Sequence, residues 1–123
     1  MGYTRHHAIL ITGQGEHIAS AHEVAQVIFA PDSGLYGPAA PVTPLTEEVI
    51  NGYQSFAILA DGSKDGWDAS NLGDEARDKL IAWLREDDYC SWAEVQYGDE
   101  ESENEVLRHD HDDEWKAEDR WIY

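Results

Sequence analysis

The chain is poor in cysteine, methionine, proline and positive charge. With Cys90 as its single cysteine, no intramolecular disulfide framework can form, which fits a reducing compartment. No apolar run approaches the roughly 18 residues of a membrane span, and the opening MGYTRHHAILITG lacks the apolar core of a secretory signal. Gly2 follows Met1, but His6 stands where a myristoylation motif requires Ser or Thr. These absences lead to the expectation of a cytoplasmic protein with no membrane contact.

Basic residues are the scarcest class relative to their opposites: 8 Lys and Arg against 26 Asp and Glu, a formal net charge of -18. Residues 1–60 carry five acids and one base, and residues 61–123 carry twenty-one acids and seven bases. A field of this sign repels nucleic acid and anionic lipid and attracts basic protein surfaces over about 8 Å at physiological salt. Direct nucleic-acid binding is therefore not expected. Five Trp and six Tyr, within 41% hydrophobic residues over 123 positions, predict one folded domain rather than a disordered chain.

The apolar run His6–Thr12 reads as a buried strand ending at Gly13-Gln14-Gly15. From His17, residues Ile18, Ala21, Ala25 and Ile28 recur at helical spacing, with Val24 and Phe29 beside them. The stretch from Pro31 to Pro44 holds all four prolines and reads as a long irregular loop, followed by a short helical turn over Thr46–Ile50. Tyr53–Ala60 reads as a second strand that turns at Asp61–Gly66 into a short strand around Trp67. Ser70 or Asn71 then caps a helix with Ala76, Leu80, Trp83 and Leu84 on one face. Trp92–Tyr97 alternates, setting Ala93, Val95 and Tyr97 opposite Trp92, Glu94 and Gln96. The order predicts an α+β fold, a ferredoxin-like βαββαβ sandwich with an extra C-terminal hairpin strand at Glu105–His109. Residues 1–111 form the domain, and residues 112–123 an acidic and aromatic arm.

Several motifs fail on inspection. Gly13-Gln14-Gly15 resembles the start of a dinucleotide fingerprint, but Ile18 occupies the third glycine's place and Glu16 would repel phosphate. Asp61, Ser63, Asp65 and Gly66 match the opening of a calcium loop, whose twelfth position is here Leu72 instead of a bidentate Glu. His109 and His111, spaced by two, would share one face of an extended strand and hold a metal weakly unless His6 or His7 lay close. Metal candidates are thus His109, His111, Asp61 and Asp65, with no cofactor expected. No nucleophile stands beside a base, and the acids before Cys90 quieten its thiol, so no enzymatic activity is expected.

The run GDEESENEVLRHDHDDEW contains Asp99, Glu100, Glu101, Glu103, Glu105, Asp110, Asp112, Asp113 and Glu114, followed by Trp115. Extended, it would place one charge per about 6 Å, against about 3.4 Å along a DNA strand. The segments GYTRHHAILIT, NGYQSFAILADGSKDGW and WAEVQYGDE resemble parts of small acidic bacteriophage-type proteins of uncharacterised function. The resemblance implies a site of action in the host-cell cytoplasm and the blocking of a host enzyme or defence complex. The leading expectation is a non-enzymatic protein that binds a basic partner through this acidic run, mimicking nucleic acid, with exposed tryptophans among Trp92, Trp115 and Trp121 as anchors. Two alternatives stand beside it: a small-molecule or metal-binding domain, enzymatic or not, using the Pro-rich loop and the histidines, and a homo-oligomer (a homodimer in its simplest form) built by edge-strand pairing.

Overall fold

The computed structural model describes residues 5–30, 40–62, 68–98 and 104–112. It contains β1 (Arg5–Gln14), α1 (Gly15–Ile28), β2 (Tyr53–Ile58), α2 (Asp68–Asp87), β3 (Ser91–Gly98) and β4 (Glu105–His109). The strands form one sheet in the order β2-β1-β3-β4, every neighbouring pair antiparallel. The protein is therefore α+β, with a four-stranded antiparallel sheet and two helices among the described residues.

Both helices lie on one face of the sheet. Ile9 and Ile11 of β1 pair with Ile58 and Phe56 of β2 on one side, and with Glu94 and Trp92 of β3 on the other. Since residues paired across a ladder share a face, these six point together. Against them pack Ile18, Ala21 and Ala25 of α1 and Ala76, Leu80, Ile81 and Leu84 of α2, with Phe29 and Cys90 completing one core. The helical spacing read from the sequence thus supplies the buried stripes of both helices, although α1 starts at Gly15, before the pattern read from His17, and α2 at Asp68, before the cap expected at Ser70 or Asn71.

Of the loop expected over Pro31–Pro44, residues 31–39 lie outside the described residues, and the part that follows departs from expectation. Residues 41–46 are not free loop: Val42 bridges Ile58, the amides of Thr43 and Thr46 donate to the carbonyls of Ala57 and Ser55 (2.9 and 3.0 Å), and that of Leu59 donates to Pro41 (2.8 Å). In return, the Thr43 and Thr46 hydroxyls accept from the amides of Ala57 (2.9 Å) and Ser55 (3.0 Å). Pro41 and Pro44 lack an amide proton, so such a segment suits only a sheet edge. His22 of α1 holds it from inside, its Nε2–H donating to the Thr43 carbonyl at 2.9 Å.

No helical turn forms over Thr46–Ile50. The chain instead reverses at Asn51-Gly52, both with positive φ (58° and 74°), and the Tyr53 amide donates to the Ile50 carbonyl at 3.2 Å. Positive φ at both central residues is the mark of the two-residue hairpin turn for which Asn-Gly is favoured. This hairpin lies one strand earlier than the one expected at Asp61–Gly66, whose residues 63–66, like the strand placed around Trp67, lie outside the described residues. The C-terminal hairpin strand does form, as β4, with an irregularity in its register at Glu94/Val95.

Candidate interaction surfaces

The described cations are largely turned into the fold. Glu94, on the helix side of β3, is 2% exposed, a burial that a carboxylate tolerates only when paired. Its Oε1 accepts from Arg108 Nε at 2.6 Å, and its Oε2 lies 3.5 Å from Arg77 Nε. Arg77 also pairs with Asp74, and Arg108 with Asp78 at 2.8 Å. The hydrogen bond to Glu94 is the main reason that the Arg108 guanidinium is held above its ordinary pKa, against the opposing effect of burial. Arg85 lies over the Trp92 ring, 5.3 Å from its centroid, and Arg85 Nη2 donates to Asp112 Oδ1 at 2.6 Å. Lys79 is the one exposed base among the described side chains.

The acids are disposed oppositely. Glu16 and Glu23 on α1, and Asp68, Asp74, Glu75, Asp78 and Glu86 on α2, are exposed, as is Asp88 just after α2. Turning arginines inward while carboxylates stay in solvent makes the outward field more negative than the residue count alone conveys. Sequence reading overlooked this helical acid surface because the denser run at 99–114 dominated the count.

Of the residues expected to bind a partner, Glu105 is exposed on β4, while Asp110 and Asp112 sit in the turn after it. Asp112 is engaged within the fold, accepting from the His109 amide at 3.0 Å as well as from Arg85. Burial alone would raise its pKa, but those two donors outweigh it and hold the carboxyl below its ordinary value. Asp99, Glu100, Glu101, Glu103, Asp113, Glu114 and Trp115 lie outside the described residues, as does Trp121. Trp92 is 4% exposed and belongs to the core, so it is not among the exposed anchors. In the alternation of β3, the Trp92, Glu94 and Gln96 side is the buried one.

The face of the sheet away from the helices has a different composition. There Leu10 lies between Ala57 and Ala93, Ala8 faces Val95, His6 faces Tyr97, and Thr12 lies between Ser55 and Ser91. Ala93 and Val95 in turn face His109 and Val106. None of these residues is an acid. Leu10, Tyr97 and Val106 are exposed, and the His6 ring packs on Tyr97 with centroids 5.2 Å apart.

The remaining motifs resolve into structure. β4 ends at His109, and His111 falls in the turn with its amide donating to His109 Nδ1 at 3.2 Å, so the two rings do not share an extended face. His109 sits level with Ala93 and Leu10, whereas His6 is level with Tyr97 toward the other end of the sheet. Among the described residues, no group of three or more His, Cys, Asp or Glu is placed to hold a metal ion. Asp61 is exposed, and Asp65 lies outside the described residues. Gly13 is a packing glycine: a Cβ there would sit 3.0 Å from Cys90 Sγ and 3.3 Å from Ile18 Cβ. Cys90 is buried, and burial first, with the Asp87 charge second, pushes its thiol up to about 11.

No helix among the described residues is long and apolar enough to cross a membrane. No family model, curated protein or solved structure matches the chain.

Proposed function

We propose that this protein is a non-enzymatic acidic domain that binds a basic protein surface. The observation that carries the reading is the disposition of charge: Arg77, Arg85 and Arg108 pair within the fold, in part with Asp74 and Asp78 of α2, while Glu16 and Glu23 of α1 and Asp68, Glu75 and Glu86 of α2 face solvent. The binding surface we propose comprises the exposed carboxylates of α2 with Glu105 of β4, and takes from the sequence the acids at 99–103, 113 and 114, which lie outside the described residues. Carboxylates spaced along such a surface compete with phosphates for lysine and arginine. The resemblance to small phage-type proteins points the proposal toward a host nucleic-acid-binding or defence protein.

The topology belongs to the same proposal. With residues 41–46 counted as an edge strand, the order 41–46, β2, β1, β3 follows the ferredoxin-like arrangement, and β4 is an addition at the far edge. The threonine hydroxyls that complete the hydrogen bonding to β2 support that count.

In the deciding experiment, the immobilised protein captures its partner from the native host, and the captured protein is identified by mass spectrometry. A basic protein is expected, and Glu100→Lys with Glu103→Lys should weaken its capture at least about tenfold while the melting temperature stays nearly unchanged. Capture indifferent to both reversals contradicts the reading.

A further inference from the structure

We propose that the helix-free face of the sheet is a self-association surface, on which a second copy of this chain packs face to face. The first ground is composition. In a chain with 26 acids and 8 bases, this face carries the exposed Leu10, Tyr97 and Val106, the half-buried Ala93 and Val95 and the buried Ala8 and Ala57, and among the described residues no carboxylate, because Glu94 points to the helices instead. An antiparallel sheet with one solvated face ordinarily alternates apolar-in with polar-out. Here Leu10 is 54% and Val106 56% exposed, so large apolar side chains reach the outward face beside the uncharged polar Thr12, Ser55 and Ser91.

The second ground is charge complementarity. A basic partner must set its cations against carboxylates, and the described residues of this face offer none. An identical face, equally free of acids, can cover it without like-charge contact. Two sheets stacked about 10 Å apart bring their apolar side chains together in this way, and a two-fold axis lets one patch serve both copies. The acids on the helices then lie on the far sides of the pair, more than a Debye length of about 8 Å from the axis.

The third ground is area. Four strands about 4.8 Å apart and about five residues long present roughly 300 Å² in plan. Side-chain relief raises this to about 500 Å² per copy, and the pair to about 1,000 Å², the lower bound of a specific interface. The association is accordingly expected to be reversible and in the micromolar range.

The inference is independent of the basic-partner reading, and salt separates the two: screening strengthens contact between two negative copies and weakens a contact between opposite charges. The test is sedimentation equilibrium of the full chain from about 1 to 100 μM. The expected mass approaches twice 13.8 kDa as concentration and salt rise. Leu10→Asp and, separately, Val106→Asp should each weaken association at least tenfold without unfolding the monomer, as circular dichroism will check. Trp115→Ser with Trp121→Ser should leave it intact. A wild-type mass that stays monomeric overturns the proposal, as does a dimer insensitive to both aspartates. A monomer that dimerises only when the two tryptophans are replaced overturns it too, making the C-terminal residues the occupant of the face.

Discussion

Arg108 of β4 and Glu94 of β3 face one another across the ladder, Nε to Oε1 at 2.6 Å, on the side of the sheet that the helices cover. The pair fastens the edge strand to α2, because Arg108 also reaches Asp78 and Glu94 also lies beside Arg77. Removing one partner of a buried ion pair leaves the other uncompensated. Glu94→Ala should therefore cost about 3 kcal/mol in urea-induced unfolding, with hydrogen exchange in β4 rising most. An unfolding midpoint equal to that of the wild type would mean that Arg77 and Arg108 find water without moving.

Asp112 joins the turn after β4 to α2 through Arg85. Because its carboxyl is held below the ordinary value in the folded state, its contribution is fully present above the unfolded pKa of about 4 and is lost as pH falls through the folded value. The contact is partly exposed and screened, so Asp112→Asn should lower stability at pH 7 by about 1 kcal/mol or less. The difference between the two proteins should shrink below about pH 4. A constant difference from pH 7 to 3 would assign the effect to packing instead.

Gly13 and Cys90 share a tight space, in which a Cβ on Gly13 would require Cys90 Sγ and Ile18 to give way. Gly13→Val should destabilise the domain by about 2 kcal/mol through overpacking, and Cys90→Ala in the same chain should recover part of the loss. With its thiol pushed up to about 11, Cys90 should resist iodoacetamide at pH 8 in the native protein and react readily in urea. Equal labelling in both states would show that the pocket opens freely.

The parts of the fold legible in the sequence are those where one period dominates. Ile18, Ala21 and Ala25 announce α1, and Ala76, Leu80 and Leu84 announce α2, because each set returns to one side of a helix. The segment 41–46 stayed hidden because Pro41 and Pro44 read as breakers, and its pairing relies on the hydroxyls of Thr43 and Thr46, which carry no apolar signal. Asn51-Gly52 was visible as a turn pair, but with no strand recognised before it the hairpin could not be drawn. Glu94 was unreadable for a related reason: a lone acid in an alternating strand is expected outside, and its burial depends on arginines 17 residues before and 14 after it.

The candidate surfaces divide in the same way. The acidic balance is plain in the composition, whereas its segregation is not. HHAILIT is apolar at consecutive positions, so alternation cannot tell which residues meet the helices. The register of β1 with β2 and β3 was needed to separate Ile9 and Ile11 from Leu10.

The central claim is that outward carboxylates recognise a basic partner, and the salt dependence of that binding tests it most directly. Once the captured protein is purified, its affinity should fall at least about tenfold between roughly 50 and 300 mM salt. Glu75→Lys with Glu86→Lys should produce a comparable loss, while Leu10→Asp leaves the low-salt affinity unchanged. An affinity constant across that salt range and indifferent to the two charge reversals would contradict the account.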